Sequence, residues 1–240
     1  MQYVSFNRIK ISALVLLFKL LMLVSVSAFS DELTTQLTPA TPPTPAPSIN
    51  SPTKESVQVV VLGDSLSAEY GLERGTGWVS LLEVQLAKQR PPQTRIINAS
   101  ISGETTSGGR SRLALLLTKY SPQVLIIELG SNDALRGISI EASQANLDWM
   151  VQRALDNKIK VLIVGNLVPA NYGATLNKEL SNMYLQVARK HKVSLVPFML
   201  KGVADVPNAS RLFQADQLHP LAVAHPTILT NIWPELRKLL

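Results

Sequence analysis

The sequence predicts an α/β fold, a three-layer α/β/α sandwich around a mainly parallel five-stranded sheet. Three observations predict it. Short apolar, β-branched runs alternate along the chain with longer stretches of helical period, and such repeats build parallel sheets covered by helices. The first run, Val57 to Leu62, is apolar at every position but Gln58, which suits a strand buried on both faces. Its abrupt stop at Gly63-Asp64-Ser65 delivers polar residues to the carboxyl edge of the sheet, where open α/β folds place their ligands.

The expected strands are Val57 to Leu62, Arg95 to Ala99, Val124 to Leu129, Val161 to Val164 and Val193 to Val196. Helices are expected over Gly77 to Gln89, Arg110 to Lys119, Glu141 to Asn157 and Ala174 to His191. A last helix runs from Leu221 to Leu240, interrupted by Pro226 and Pro234. Leu113, Leu116 and Leu117, like Leu147, Met150 and Val151, recur at helical spacing and are read as core.

Ahead of this domain, residues 1–30 have a basic start (Arg8, Lys10), an apolar stretch from Ile11 to Val26 and small residues before Ala28 and Ser30. They read as a secretory signal, and Lys19 inside the apolar stretch argues against an uncleaved membrane anchor. Residues 31–55 are Pro/Thr-rich with little apolar bulk and are expected to form an extended spacer. The folded domain is residues 56–240, and the protein is expected to be exported, to the periplasm or beyond. The formal charge of +6 falls to 20 basic against 17 acidic residues once the first 28 residues are set aside. With no Lys/Arg cluster, nucleic acid is not an expected partner. Zero cysteines exclude disulfides, thiolate metal sites, a cysteine nucleophile and a lipidated N-terminal Cys.

Three strands end in loops that can carry chemistry. Ser65 is expected to open the next helix, where it is either a helix cap or a nucleophile whose own amide faces a developing negative charge. The second strand runs into Asn98 to Thr106 with Gly103, and the third into Gly130-Ser131-Asn132-Asp133. A loop glycine lets a backbone N–H approach a ligand and a buried Asn offers an amide donor, although both types are common in plain turns. Near the C-terminus, His219 has Asp216 three residues before it, close enough for the carboxylate to hold one ring nitrogen. His191 and His225 are read as solvated or packing residues. No His-x-x-x-His pair or carboxylate–histidine cluster suggests a metal, and no nucleotide-binding glycine motif occurs.

Taken in order, Gly63-Asp64-Ser65-Leu66-Ser67, Gly103, Gly130-Ser131-Asn132-Asp133 and Asp216-Gln217-Leu218-His219 resemble the four blocks of the SGNH or GDSL hydrolase family. The resemblance spans Val59 to Pro220. Within the family it lies nearest the bacterial periplasmic thioesterase I/lysophospholipase L1/arylesterase group, through GDSLSA-x-YG, NASISGET, ELGSNDALRG and VPANYG. It implies a flavodoxin-like fold, Ser65 as nucleophile with His219 and Asp216 as partners, and Ser65, Gly103 and Asn132 as oxyanion donors. The implied reaction is hydrolysis of acyl esters or thioesters through an acyl-enzyme, with no cofactor and no metal. The alternatives are a carbohydrate O-deacetylase and a silent envelope-binding module. Expected partners are small-molecule or lipid acyl substrates, with transient contact at a membrane surface and a monomeric state.

Glu69 departs from the family pattern, in which this group usually has Gly. On a helix opened by Ser65 it falls one turn on, either within Coulombic reach of His219 or pointing into screening solvent.

Overall fold

The structure, a computed structural model, describes residues 57–89 and 94–240. The expected signal and spacer lie outside the described residues. Five strands, β1 (Val57–Gly63), β2 (Thr94–Asn98), β3 (Val124–Glu128), β4 (Lys160–Val164) and β5 (Ser194–Val196), form one sheet of order β2-β1-β3-β4-β5. Every pairing is parallel, with Val59 opposite both Ile96 and Val124.

Parallel neighbours need crossovers, and the helices supply them on both faces. Helices α1 (Trp78–Gln89) and α6 (His225–Arg237) pack together on one face. Helices α2 (Thr106–Tyr120), α4 (Ile140–Asp156) and α5 (Ala174–His191) cover the other, and α3 (Ser131–Leu135) is a single short turn after β3. The strands alternate between two cores. Val59, Val61, Val124, Ile126, Leu162 and Val164 face α1 and α6, whereas Val60, Leu62, Leu125, Ile127, Val161 and Ile163 face the other layer. In β1 the residues Val59 to Leu62 are all fully buried, each worth about 1.5–3 kcal/mol of apolar burial. Leu113, Leu117, Leu147, Met150 and Val151 lie in the core as expected, with Leu116 packed at its edge.

Three helix expectations change. Helix α2 begins at Thr106, because the Thr105 side chain accepts from Gly108 N at 3.2 Å and the buried Asp133 accepts from Thr106 N at 2.8 Å. The stretch expected as a loop at Gly130 to Asp133 contains the start of α3. Pro226 starts α6 in its first turn, and Pro234 sits inside a helix that continues past it. The removed hydrogen bond is tolerated there because Ile228, Leu229, Ile232 and Leu236 hold the inner face against the sheet. Among the described residues no helix is long and apolar enough to cross a membrane.

This topology fixes where a site can form. The chain leaves β1 for β2 on one side and returns past β1 to β3 on the other, so the loops after β1 and β3 diverge and open a crevice at their carboxyl ends.

Candidate active site

Ser65 stands in that crevice, directly after β1. It does not open a helix. Ala68 N bonds Asp64 O at 2.9 Å and Tyr70 N bonds Ser65 O at 3.2 Å, which makes one helical turn before the chain turns away at Glu69 and Gly71; the next helix starts at Trp78. The turn is shaped by Asp64, whose Oδ1 accepts from Leu66 N at 2.9 Å. Among the described residues the Ser65 N–H meets no acceptor, so it is free for a ligand.

His219 Nε2 lies 2.9 Å from Ser65 Oγ, and its Nδ1 lies 2.7 Å from Asp216 Oδ2. Asp216 Oδ1 also accepts from Leu218 N and His219 N at 2.9 and 3.1 Å. Desolvation alone would raise this carboxyl, but the hydrogen bonds from His219 and Leu218 and the charge of His219 outweigh it and hold Asp216 down to about 2. It is therefore ionised at neutral pH.

Asn132, in the first turn of α3, donates from Nδ2 to Asp64 Oδ2 at 2.9 Å, and its second N–H remains for the crevice. Gly103 has a φ of +77°, which the missing side chain permits, and its N–H has no acceptor among the described residues. Its carbonyl accepts from the Arg136 guanidinium at 2.7 Å, which ties its loop to the end of α3.

A cavity of about 430 Å³ extends from this group. Ser65, Asn132 and His219 bound one end, and Leu135, Val168, Phe198, Leu200, Phe213 and Leu218 supply much of the apolar wall. Asp216 stands behind His219, and Gly103 is outside the lining of this cavity. Among the described residues no group of three or more His, Cys, Asp or Glu side chains converges as a metal site would require.

One member of the site was not visible in the sequence. Glu128, the last residue of β3, is fully buried behind Ser65, where its Oε2 accepts from Ser67 Oγ at 2.8 Å and Asp64 N at 3.2 Å. Burial, then the neighbouring Asp64 charge, pushes Glu128 well above the usual carboxylate range. Burial also raises Asp64 to about 6, against the lowering effect of the Leu66 N–H, Glu128, His219 and Ser131. Of the two, Glu128 is the one whose surroundings favour the proton more strongly, and Asp64 is the more readily ionised. The available signal was a lone acid inside the apolar run Val124 to Leu129.

Glu69 takes a role that neither sequence reading described, that of a cap. It adopts a left-handed φ of +59° and is partly exposed, and among the described residues its carboxylate forms no hydrogen bond or ion pair with His219. It accepts from Gly77 N at 2.8 Å, Ser80 Oγ at 2.8 Å and Gly75 N at 3.2 Å, which caps the start of α1. Desolvation would raise its pKa, but these donors and Arg74 lower it on balance. His225 is a packing residue, as expected, with Nδ1 accepting from Trp78 N at 3.0 Å. His191 pairs with Asp148 at 2.9 Å.

A profile of the GDSL-like lipase/acylhydrolase family matches residues 61–225. Esterase TesA of Pseudomonas aeruginosa is 44% identical over 182 residues, 76% of this chain and 89% of that protein. Thioesterase 1/protease 1/lysophospholipase L1 of Escherichia coli K12 is 33% identical over 181 residues, covering 75% and 84%. The crystal structure of psychrotrophic esterase EstA from Pseudoalteromonas sp., inhibited by monoethylphosphonate, matches with a TM-score of 0.69 at 35% identity, covering 75% of this chain and 97% of that one.

The buried and the capping carboxylate each have a measurable consequence. The folded state holds the Glu128 proton above pH 4.5, where the unfolded chain releases it, so stability declines as pH rises from there, by about 1.4 kcal/mol for each pH unit over which only the folded state is protonated. Glu128→Gln mimics the protonated acid and should flatten this decline in thermal unfolding measured from pH 4 upward; parallel curves would show that Glu128 is ionised in the fold. Glu69→Gln should lower the melting temperature at pH 7 and leave the acid limb of kcat/KM where it is. A shifted limb would return Glu69 to the electrostatics of His219.

Proposed function

The chain belongs to the GDSL-like lipase/acylhydrolase family and is a carboxylic ester hydrolase, and from that premise we propose that Ser65 is its nucleophile, with His219 as base and Asp216 as orienting carboxylate. The observation that carries this reading is the hydrogen-bonded line from Asp216 through His219 to Ser65 Oγ, at 2.7 and 2.9 Å, at the end of an apolar cavity.

The steps follow from the geometry. His219 Nε2 takes the Ser65 proton as Oγ bonds to the acyl carbon, and the carbonyl electrons move onto oxygen. The imidazolium is held by the ionised Asp216, which also fixes the tautomer that leaves Nε2 free to accept. The free N–H groups of Ser65, Gly103 and Asn132 are the donors for the oxyanion. Collapse expels the alcohol or thiol with the proton from His219. Water, deprotonated by the same imidazole, then attacks the acyl-enzyme, and the acid leaves as Ser65 recovers its proton.

The substrate is an acyl ester or thioester, and the apolar wall formed by Phe198, Leu200 and Phe213 favours a chain longer than acetyl. That observation ranks the O-deacetylase second, and the assembled triad argues against a silent binding module. Residues 1–30 support export. Contact with a lipid surface is supported by Tyr70, Ile101 and Tyr172, large side chains left exposed on the loops after β1, β2 and β4. All three triad residues come from one chain, so a monomer suffices.

A p-nitrophenyl ester series tests the reading. Rates should rise from acetate to medium chains and vanish across the series in Ser65→Ala; an acetate optimum would favour the deacetylase, and activity without Ser65 would refute the mechanism. Asn132→Ala should lower kcat by about 10²–10³ with little change in KM, because an oxyanion donor acts most strongly as charge develops. Near-normal kcat in the folded variant would leave Asn132 a helix-start residue only.

A further inference from the structure

The base of this site stands on a long irregular segment. Between β5 and the 3₁₀ turn Ala222–Ala224 the chain forms no strand, and its only helical element is the 3₁₀ turn Ala209–Leu212. Asp216 and Gln217 at its tip are exposed. Yet His219 Nε2 is held 2.9 Å from a hydroxyl 154 residues away in sequence.

The segment is closed on itself first. Phe213 and Pro220 form an antiparallel bridge, with Gln214 N donating to His219 O at 2.8 Å and Leu221 N to Leu212 O at 2.7 Å. Gln217 N returns to Gln214 O at 2.9 Å. These bonds make a small hairpin with Asp216 and His219 in it, but none of them sets its distance from Ser65.

The Gln214 side chain crosses that gap. Its Nε2 donates to Tyr70 O at 2.9 Å and to Pro220 O at 3.3 Å, joining the nucleophile turn to the base of the hairpin. The Tyr70 ring then rests on the His219 imidazole, with centroids 4.4 Å apart and planes at 42°. The next residue is shaped for the same contact. Gly71 has a left-handed φ of +68°, and a Cβ there would run into Gln214 Oε1.

We propose that Gln214 is a positioning residue for the hydrolysis: it clamps the His219 hairpin to the Tyr70 carbonyl and so keeps the imidazole within reach of Ser65. The inference rests on His219 being the base. Gln214 touches no reacting atom, and its effect is exerted through geometry, to which rates are steep, with a misplacement of about 1 Å costing on the order of 10²-fold.

The test compares Gln214→Met, which keeps the length and removes the donor, with Gln214→Glu, which sets carboxylate oxygens against the Tyr70 and Pro220 carbonyls. Both half-reactions use His219, so with p-nitrophenyl acetate, which leaves most of the cavity wall unused, kcat should fall about 10- to 100-fold while KM stays within about threefold, and the Glu variant should be the slower. Gly71→Ala should give a similar loss, and adding Gln214→Met to it should cost little more, since both break one clamp. Melting temperatures identify variants that have lost the fold, and if the Glu variant unfolds the less disruptive Met variant decides between the outcomes. Wild-type kcat in folded Gln214→Met, a loss confined to KM, or full additivity with Gly71→Ala would overturn the clamp. Ser65→Ala separates the two levels: if it is inactive while Gln214→Met is normal, only the clamp fails, and if it is active, the reading of the site fails first.

Discussion

Asp64 is the constraint on which the site depends. A carboxylate removed from water must be met by donors, and this one meets them on both sides of the crevice. Oδ1 takes the Leu66 N–H and thereby bends the chain around Ser65, while Oδ2 takes the Asn132 amide and draws α3 against that turn. Because both oxygens accept from nitrogen, a carboxamide could not serve both partners. One buried anion thus couples the shape of the Ser65 turn to the orientation of the Asn132 amide, and it does so across the two strands where the sheet order reverses.

The cost of that anion is limited by Glu128. Two ionised carboxylates in contact within a core would repel strongly, and here burial and the Asp64 charge favour the proton on the deeper Glu128, which leaves Asp64 the more readily ionised of the two. Ser67 connects the pair onward, donating to Glu128 and accepting from the Trp78 indole N–H at 3.2 Å. Trp78 in turn gives its backbone N–H to His225. The polar groups beneath Ser65 are therefore linked to the start of α1 and to α6, so the Ser65 turn is anchored to the face of the sheet opposite α3.

What the sequence made legible follows the physics of each signal. The five strands were found to within one residue at each end because short runs rich in Val, Ile and Leu between polar stretches carry their signal locally and need no partner to identify them. Ser65, Asn132, Asp216 and His219 were legible as motif residues, and the structure brings them together. The turn after Ser65 was not, because its path is set by Asp64 and by a left-handed Glu69, and neither has a periodic signature. Helix α3 is too short for periodicity, and α2 starts early because Asp133, from α3 and far along the chain, meets its first N–H. Glu128 was hidden for a related reason: its neighbours in space, Asp64 and Ser67, are more than sixty residues away along the chain.

Glu69 shows how a local conflict can be resolved by what surrounds it. A left-handed backbone disfavours any residue with a Cβ by roughly 1–2 kcal/mol, and glycine is the residue that avoids the penalty. This chain places a glutamate there and uses its carboxylate to satisfy two backbone N–H groups and the Ser80 hydroxyl at the start of α1. Charge-assisted bonds of this kind are worth more than neutral ones, so the strain and the cap oppose one another at a single residue. The position matters because Tyr70 follows directly: its carbonyl meets Gln214 and its ring meets His219. The cap at Glu69 thus reaches His219 through one peptide unit, fixing the path of the backbone beside the imidazole.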